Sequence, residues 1–168
     1  MDGALAAPPL SFLPSAIREP RRPLRAALVG WATAFLPAVL LGALLAAVAP
    51  EAQTPEFGLR GTFALVMLVV VAPVLETLAM GAVLLLLVRL FGELAAILLS
   101  AIGWAVLHSL QVPIWGLVIW WPFLIFSTVF VSWRRRSLAA AFAMAALVHG
   151  LNNLLPAIPV AWPELFGG

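Results

Sequence analysis

Four side chains in this sequence have types and spacings that could do chemistry: Glu76, His108, His149 and Asn153. Glu76 is the only charge in an apolar run from about Phe63 to Val88. His108 and His149 are the two histidines of the chain, and both sit in apolar runs. Asn153 follows His149 by four residues, so on a helix the two share a face, with Asn152 nearly so. A carboxylate held in a low dielectric is a useful general base near neutral pH. With His108 it could hold and deprotonate a water. His149 and Asn153 could then donate hydrogen bonds to the oxyanion of a tetrahedral intermediate. Glu76, His108 and His149 are also a three-ligand set for a catalytic zinc. The residues are compatible with either site, one metal-free and one holding zinc.

The elements that must position these groups are membrane helices. The chain has 168 residues, 64% of them hydrophobic and 10% charged, and a mean hydropathy of +1.13. A soluble domain carries about 25% charged residues. The cations are nine Arg with no Lys, and most flank apolar runs, so the basic balance is not a nucleic-acid signal. With Ala and Leu abundant, the all-Arg usage fits a GC-rich bacterial genome. There is no Cys, hence no disulfide, thiolate nucleophile or thiolate metal site. Residues 1–17 are apolar and Pro-rich without a positive n-region, which is not the pattern of a signal peptide.

The expected fold is all-α: a polytopic transmembrane bundle of about five spans. An N-terminal interfacial arm over residues 1–25 precedes a bundle over 26–155, and an interfacial tail covers 156–168. Spans are predicted at about 26–49, 62–88, 94–111, 114–133 and 137–155. Arg89, Gly92 and Glu93 mark the tight turn after the second. With the N-terminus cytoplasmic, eight of the nine Arg fall inside and only Arg60 outside, as the positive-inside rule requires. The expected location is the inner membrane of a cell, multi-pass, with the lipid bilayer as first partner.

This layout brings the polar groups to one depth. Glu76 lies thirteen residues before Arg89, and His149 thirteen after Arg136, about 20 Å from that side in each case. His108 lies fifteen residues after Glu93, about 22 Å. A central acidic residue costs a span roughly 2.5 to 3.5 kcal/mol, so intramembrane charges default to function. A single intramembrane His is often only a helix–helix hydrogen-bonding group, but three ionisable groups at one level are not explained that way. Thr77, Ser100, Ser109 and Ser127 read as helix-packing residues, as do the methionines.

Several hydrolase chemistries are excluded by missing parts. A cysteine mechanism has no Cys, and an aspartyl pair has no Asp in a span. A His-Glu-x-x-His helix and a Gly-x-Ser-x-Gly elbow are absent. What remains is Pro73-x-x-Glu76-Thr77-x-x-x-Gly81, then Trp104-x-x-x-His108, then His149-x-x-x-Asn153. Together these resemble the three motifs of the CPBP family, the CAAX-processing and bacteriocin-immunity (Abi) group of intramembrane proteases. The resemblance covers roughly residues 60–155. It implies a glutamic-type hydrolase in which Glu76 and His108 activate the water and His149 and Asn153 hold the oxyanion. Members of the family have been described as metal-dependent and as metal-free; the role given to Asn153 favours the metal-free form, with no cofactor. The substrate would be a membrane-anchored or exported protein or peptide, cut near its C-terminal anchor.

The chain departs from the family pattern at three places. Thr77 stands where a second Glu belongs, Gly81 where an Arg belongs, and Trp104 replaces Phe. Losing Glu and Arg together leaves no orphan charge in the bilayer, which reads as removal of an accessory ion pair. Two other functions compete. In a b-type haem protein, His108 and His149 would be axial ligands, which leaves Glu76 unexplained. In a non-catalytic membrane partner, an immunity or scaffold protein, Glu76 would be dispensable. An ion carrier is a weaker fit, since five spans make a thin transporter.

Overall fold

The computed structural model describes residues 10–53 and 55–166. The expectations for residues 1–9, and for the end of the tail at 167–168, lie outside the described residues. Among the described residues the regular structure is helical. A 3-10 turn at Leu10–Phe12 leads into α1 (Ser15–Arg18) and α2 (Pro23–Val48). After a loop come α3 (Gly61–Val66), a π-helical segment Met67–Val71 and α4 (Ala72–Ser109), without interruption. α5 (Trp115–Trp133), α6 (Leu138–Ala161) and a 3-10 turn at Pro163–Phe166 complete the chain.

Four helices are long and apolar enough to cross a membrane, the longest being the 49 residues from Gly61 to Ser109. That one supplies two crossings. Gly92 has φ 81° and ψ 171°, a left-handed, non-helical conformation that suits glycine, and it breaks α4. The two halves then fold back on each other. Met80 and Ser100 both touch Ser127 of α5, whose Oγ lies 3.6 Å from Met80 Sδ and 3.0 Å from Ser100 Oγ. In one straight helix they would stand about 30 Å apart. The result is a five-span bundle, as the hydropathy pattern predicts. Large apolar side chains such as Leu75, Leu86, Leu40 and Leu107 stay exposed on its outside, an apolar surface suited to a lipid bilayer.

α5 is the central helix. Residues 122–133 are all buried, and Phe123, Phe126 and Phe130 are among the largest enclosed side chains. At the basic end of the bundle, Glu93 in the Gly92 turn meets Arg134 at 3.3 Å and Arg135 at 2.9 Å. These contacts hold that turn to the α5–α6 connection. Ser137 caps α6 by accepting from the Ala140 N–H at 3.0 Å. Pro23 stands in the first turn of α2, where its missing N–H is not needed.

Two boundaries differ from the sequence reading. α6 runs on through Pro156 and Pro159 to Ala161 instead of ending at 155. In apolar surroundings the remaining backbone groups are best satisfied by continuing the helix, and each proline removes only one donor. The N-terminal arm is also more than a surface segment. Leu10, Leu13 and Ile17 are buried in the core cluster. Phe12 stacks on Trp121 of α5 at 6.2 Å.

Internal prolines free a carbonyl one turn earlier, and a side chain from another helix can reach it. Pro37 cannot donate to the Thr33 carbonyl, and Trp121 Nε1 does so instead at 2.7 Å. This bond ties α2 to α5 across the bundle.

Candidate active site

The site is built on the π-helical segment and the turn that follows it. The Ala72 N–H reaches back five residues to the Met67 carbonyl. In that register the next donor, for Leu68, would be Pro73, which has no N–H. The Leu68 carbonyl is therefore left without a helical donor. Asn153 Nδ2, from α6, supplies one at 3.1 Å. One turn away on α6, Gly150 lets the helices approach: a Cβ there would stand 2.6 Å from the Val69 carbonyl oxygen. π-bulges are frequent at functional sites, and here the segment carries α6 directly against it.

Glu76 sits one turn beyond Pro73. Side chains tilt toward the N-terminus of their helix, and α4 and α6 run in opposite directions, so Glu76 and His149 lean toward each other. Glu76 Oε2 lies 3.7 Å from His149 Nε2. The carboxylate side chain keeps 32% of its surface exposed and the imidazole 4%. His149 stacks on Phe126 at 4.5 Å, and its Nδ1 is buried without a hydrogen-bond partner. A bare ring nitrogen is less costly to leave unpaired than an N–H donor, so this arrangement directs the N–H to Nε2, toward Glu76.

His108 lies in the second half of α4 and is buried. Its Nδ1 donates to the Trp104 carbonyl at 2.8 Å, since a carbonyl can only accept. That bond leaves Nε2 as the acceptor of the neutral ring. Trp104, Trp115 and Phe123 wall it, with ring centroids at 6.0, 4.7 and 5.4 Å. Phe123 is likewise 5.4 Å from His149. The two imidazoles from α4 and α6 thus share one aromatic neighbour on α5.

Glu76, His149, Asn153 and His108 all line the interior of the bundle, but they are not equivalent. Among the described residues His149 is the imidazole within ion-pair range of Glu76; His108 bonds to its own helix. The side chain nearest the Glu76 carboxylate is thus His149, the residue expected to hold the oxyanion, and not His108, the one expected to share its water. Asn153 holds main chain with one amide hydrogen and keeps its second. Among the described residues no three His, Asp or Glu side chains are grouped closely enough to hold a metal ion.

The departures from the CPBP pattern are absorbed into packing. Thr77 is 1% exposed, and its Oγ1 has no hydrogen-bond partner. At Gly81 a Cβ would collide with the ring of Phe142 and come within 2.7 Å of Phe130 Cε2. There is no room for an arginine at that position. Sequence reasoning did not find the π-helix, Gly150 or Phe123. Pro73 was the available signal for the first; the other two have none outside the folded contacts.

No family model, no characterised protein and no solved structure matches this chain.

Proposed function

We propose that this protein is an intramembrane peptidase of the glutamic type, working without a metal on a membrane-anchored or exported substrate. The observation that carries the reading is the approach of Glu76 and His149 at 3.7 Å inside a bundle that otherwise excludes charge. Glu76 is the general base: it takes a proton from the attacking water, and its partial exposure gives that water access. The His149 Nε2–H orients the carboxylate and turns to the oxyanion as the tetrahedral intermediate forms. The free amide hydrogen of Asn153 is the second oxyanion donor. The Nε2 lone pair of His108 accepts a hydrogen bond from the remaining O–H of the water, and Glu76 returns its proton to the amine nitrogen as the C–N bond breaks. The CPBP-like order of motifs, Glu76, His108, then His149 and Asn153, supports the same roles.

The distribution of Arg supports an N-terminus on the cytoplasmic side of a bacterial inner membrane. The end holding the 49–60 loop then faces outward. A cut there releases an extracytoplasmic product. The test compares membranes of wild type and Glu76→Gln by mass spectrometry of exported and anchored proteins. A species that shortens only with Glu76 present supports the reading. Identical profiles, with both proteins inserted at equal level, assign the bundle to a non-catalytic partner.

A further inference from the structure

A small basic cavity of about 220 Å³ lies where the N-terminal arm meets the start of α2. Ser15, Ala16 and Glu19 line it from the arm, and Arg21, Arg22 and Arg25 from the turn into α2 and its first residues. A drug-sized ligand needs about 300 Å³ or more, so this space suits a single polar headgroup. It holds three cations against one anion. Glu19 meets Arg21 at 3.5 Å, with side chains 47% and 82% exposed, an ion pair worth little at a surface. Arg22 and Arg25 form no ion pair among the described residues.

The other arginine cluster is built differently. α2 and α5 run antiparallel, since Thr33 meets Trp121 while Gly30 lies toward Val129, so the ends at Arg25 and Arg134 lie on one side of the bundle. There Glu93 takes Arg134 and Arg135 at 3.3 and 2.9 Å, and Arg136 lies over the Trp133 ring at 5.4 Å. Those arginines are satisfied within the chain. Setting the orientation of the bundle asks only for positive charge near the span ends. It asks neither for a concavity nor for Ser15 and Glu19 to share one with Arg22 and Arg25. The arm is fixed there because Leu10, Leu13 and Ile17 are buried in the core.

Next to these arginines the surface of α2 turns apolar. Leu24 and Leu28, one turn apart, are 74% and 50% exposed. Unpaired guanidinium groups next to an exposed apolar face match a molecule that is anionic at one end and hydrocarbon at the other. A free phosphate would use the arginines and leave the leucines bare. We infer that this cavity binds the headgroup of an anionic phospholipid, with its phosphate on Arg22 and Arg25 and its acyl chains along Leu24 and Leu28. Arginine suits the task, since its planar fork takes two phosphate oxygens at once. Clustered arginines at the end of a membrane helix also attract anionic headgroups over a distance. A lipid seated there touches both the arm and α2, and so fastens the arm to the bundle. The inference does not depend on the peptidase reading.

The test uses the full chain, purified in a mild detergent, with phosphatidylglycerol and phosphatidylcholine as probes. Native mass spectrometry reads the bound lipid, and thermal unfolding reads its effect on the protein. Wild type should retain one phosphatidylglycerol in preference to phosphatidylcholine, and melt at a higher temperature with it. Arg25→Gln should weaken phosphatidylglycerol about fivefold, and Arg22→Gln with Arg25→Gln about thirtyfold, the worth of one and of two arginines near a charged headgroup. Arg89→Gln is the control. It removes one cation from the same side but lies outside the cavity, so it should bind the lipid as wild type does. Equal losses in Arg25→Gln and Arg89→Gln would reduce the effect to net charge and overturn the inference. Equal retention of the two lipids by wild type, a comparison that needs no variant, would overturn it as well. Inorganic phosphate in excess should neither displace phosphatidylglycerol nor reproduce the rise in melting temperature. Displacement with the same rise would make the occupant a free anion and remove the lipid.

Discussion

Asn153 Nδ2 donates to the Leu68 carbonyl at 3.1 Å, closing a main-chain acceptor that the π-helical step and Pro73 together leave open. One amide therefore serves two ends in the proposed function: it fixes α6 against the segment that leads into Glu76, and it keeps a second hydrogen for the oxyanion. Asn153→Leu should show both losses. Leaving a buried carbonyl unpaired costs about 1–3 kcal/mol, read as a lower melting temperature in detergent. Losing one oxyanion donor costs about 10²–10³-fold in turnover. A variant with reduced stability and undiminished turnover would confine Asn153 to holding the helix.

Glu76→Gln keeps the size of the side chain and removes its ability to take a proton. The position is partly exposed, so stability should change little. Cleavage should fall by about 10²–10⁴-fold, the usual worth of a positioned general base. His149→Gln and His108→Gln should each reduce cleavage with insertion intact. Full activity in any of the three removes that residue from the mechanism.

Much of the fold was legible in the residues, for one physical reason. A bilayer demands long apolar helices with charges at their ends, so Arg22, Arg89, Glu93 and Arg134 marked the boundaries before any coordinates did. The equal depth of Glu76 and His149 followed from the same counting. The partner of Glu76 did not, because depth fixes a level and not an azimuth. His108 and His149 share that level, and the helix packing that brings His149 to the carboxylate, with Gly150 against the π-helical segment, has no signature in the spacing. The end of α6 was misjudged because Pro156 and Pro159 read as helix stops in water, where backbone groups have other partners. The destination of the Asn153 amide was hidden for a related reason. It answers to Pro73, eighty residues earlier, through a carbonyl that has no signature of its own.

Gly81→Arg probes whether this core can accept the arginine of the CPBP pattern. A Cβ at this position already collides with Phe142 and comes within 2.7 Å of Phe130, which is fully buried. Overpacking a filled core costs about 1–3 kcal/mol, and an unpaired charge adds to that. Gly81→Arg and the pair Thr77→Glu with Gly81→Arg should both lower folded yield in size-exclusion profiles. A double variant as well behaved as wild type would show that this core still accepts the ion pair.

Gly150→Ala tests whether the approach of α6 to the π-helical segment sets the geometry of the site. The added methyl would lie 2.6 Å from the Val69 oxygen, a backbone atom that cannot rotate away. The helices must part, and His149, the preceding residue, moves with α6 away from Glu76. Stability should fall by about 1–3 kcal/mol, the usual cost of overpacking. Cleavage should fall further than that loss explains when measured well below the melting temperature. Gly42→Ala on α2 is the control, because a Cβ there meets nothing within 4 Å. It should leave both readouts unchanged or slightly raise stability, as Ala for Gly does inside a helix. If Gly150→Ala and Gly42→Ala cleave equally well, the separation of α6 from the π-helical segment does not control the Glu76–His149 pair.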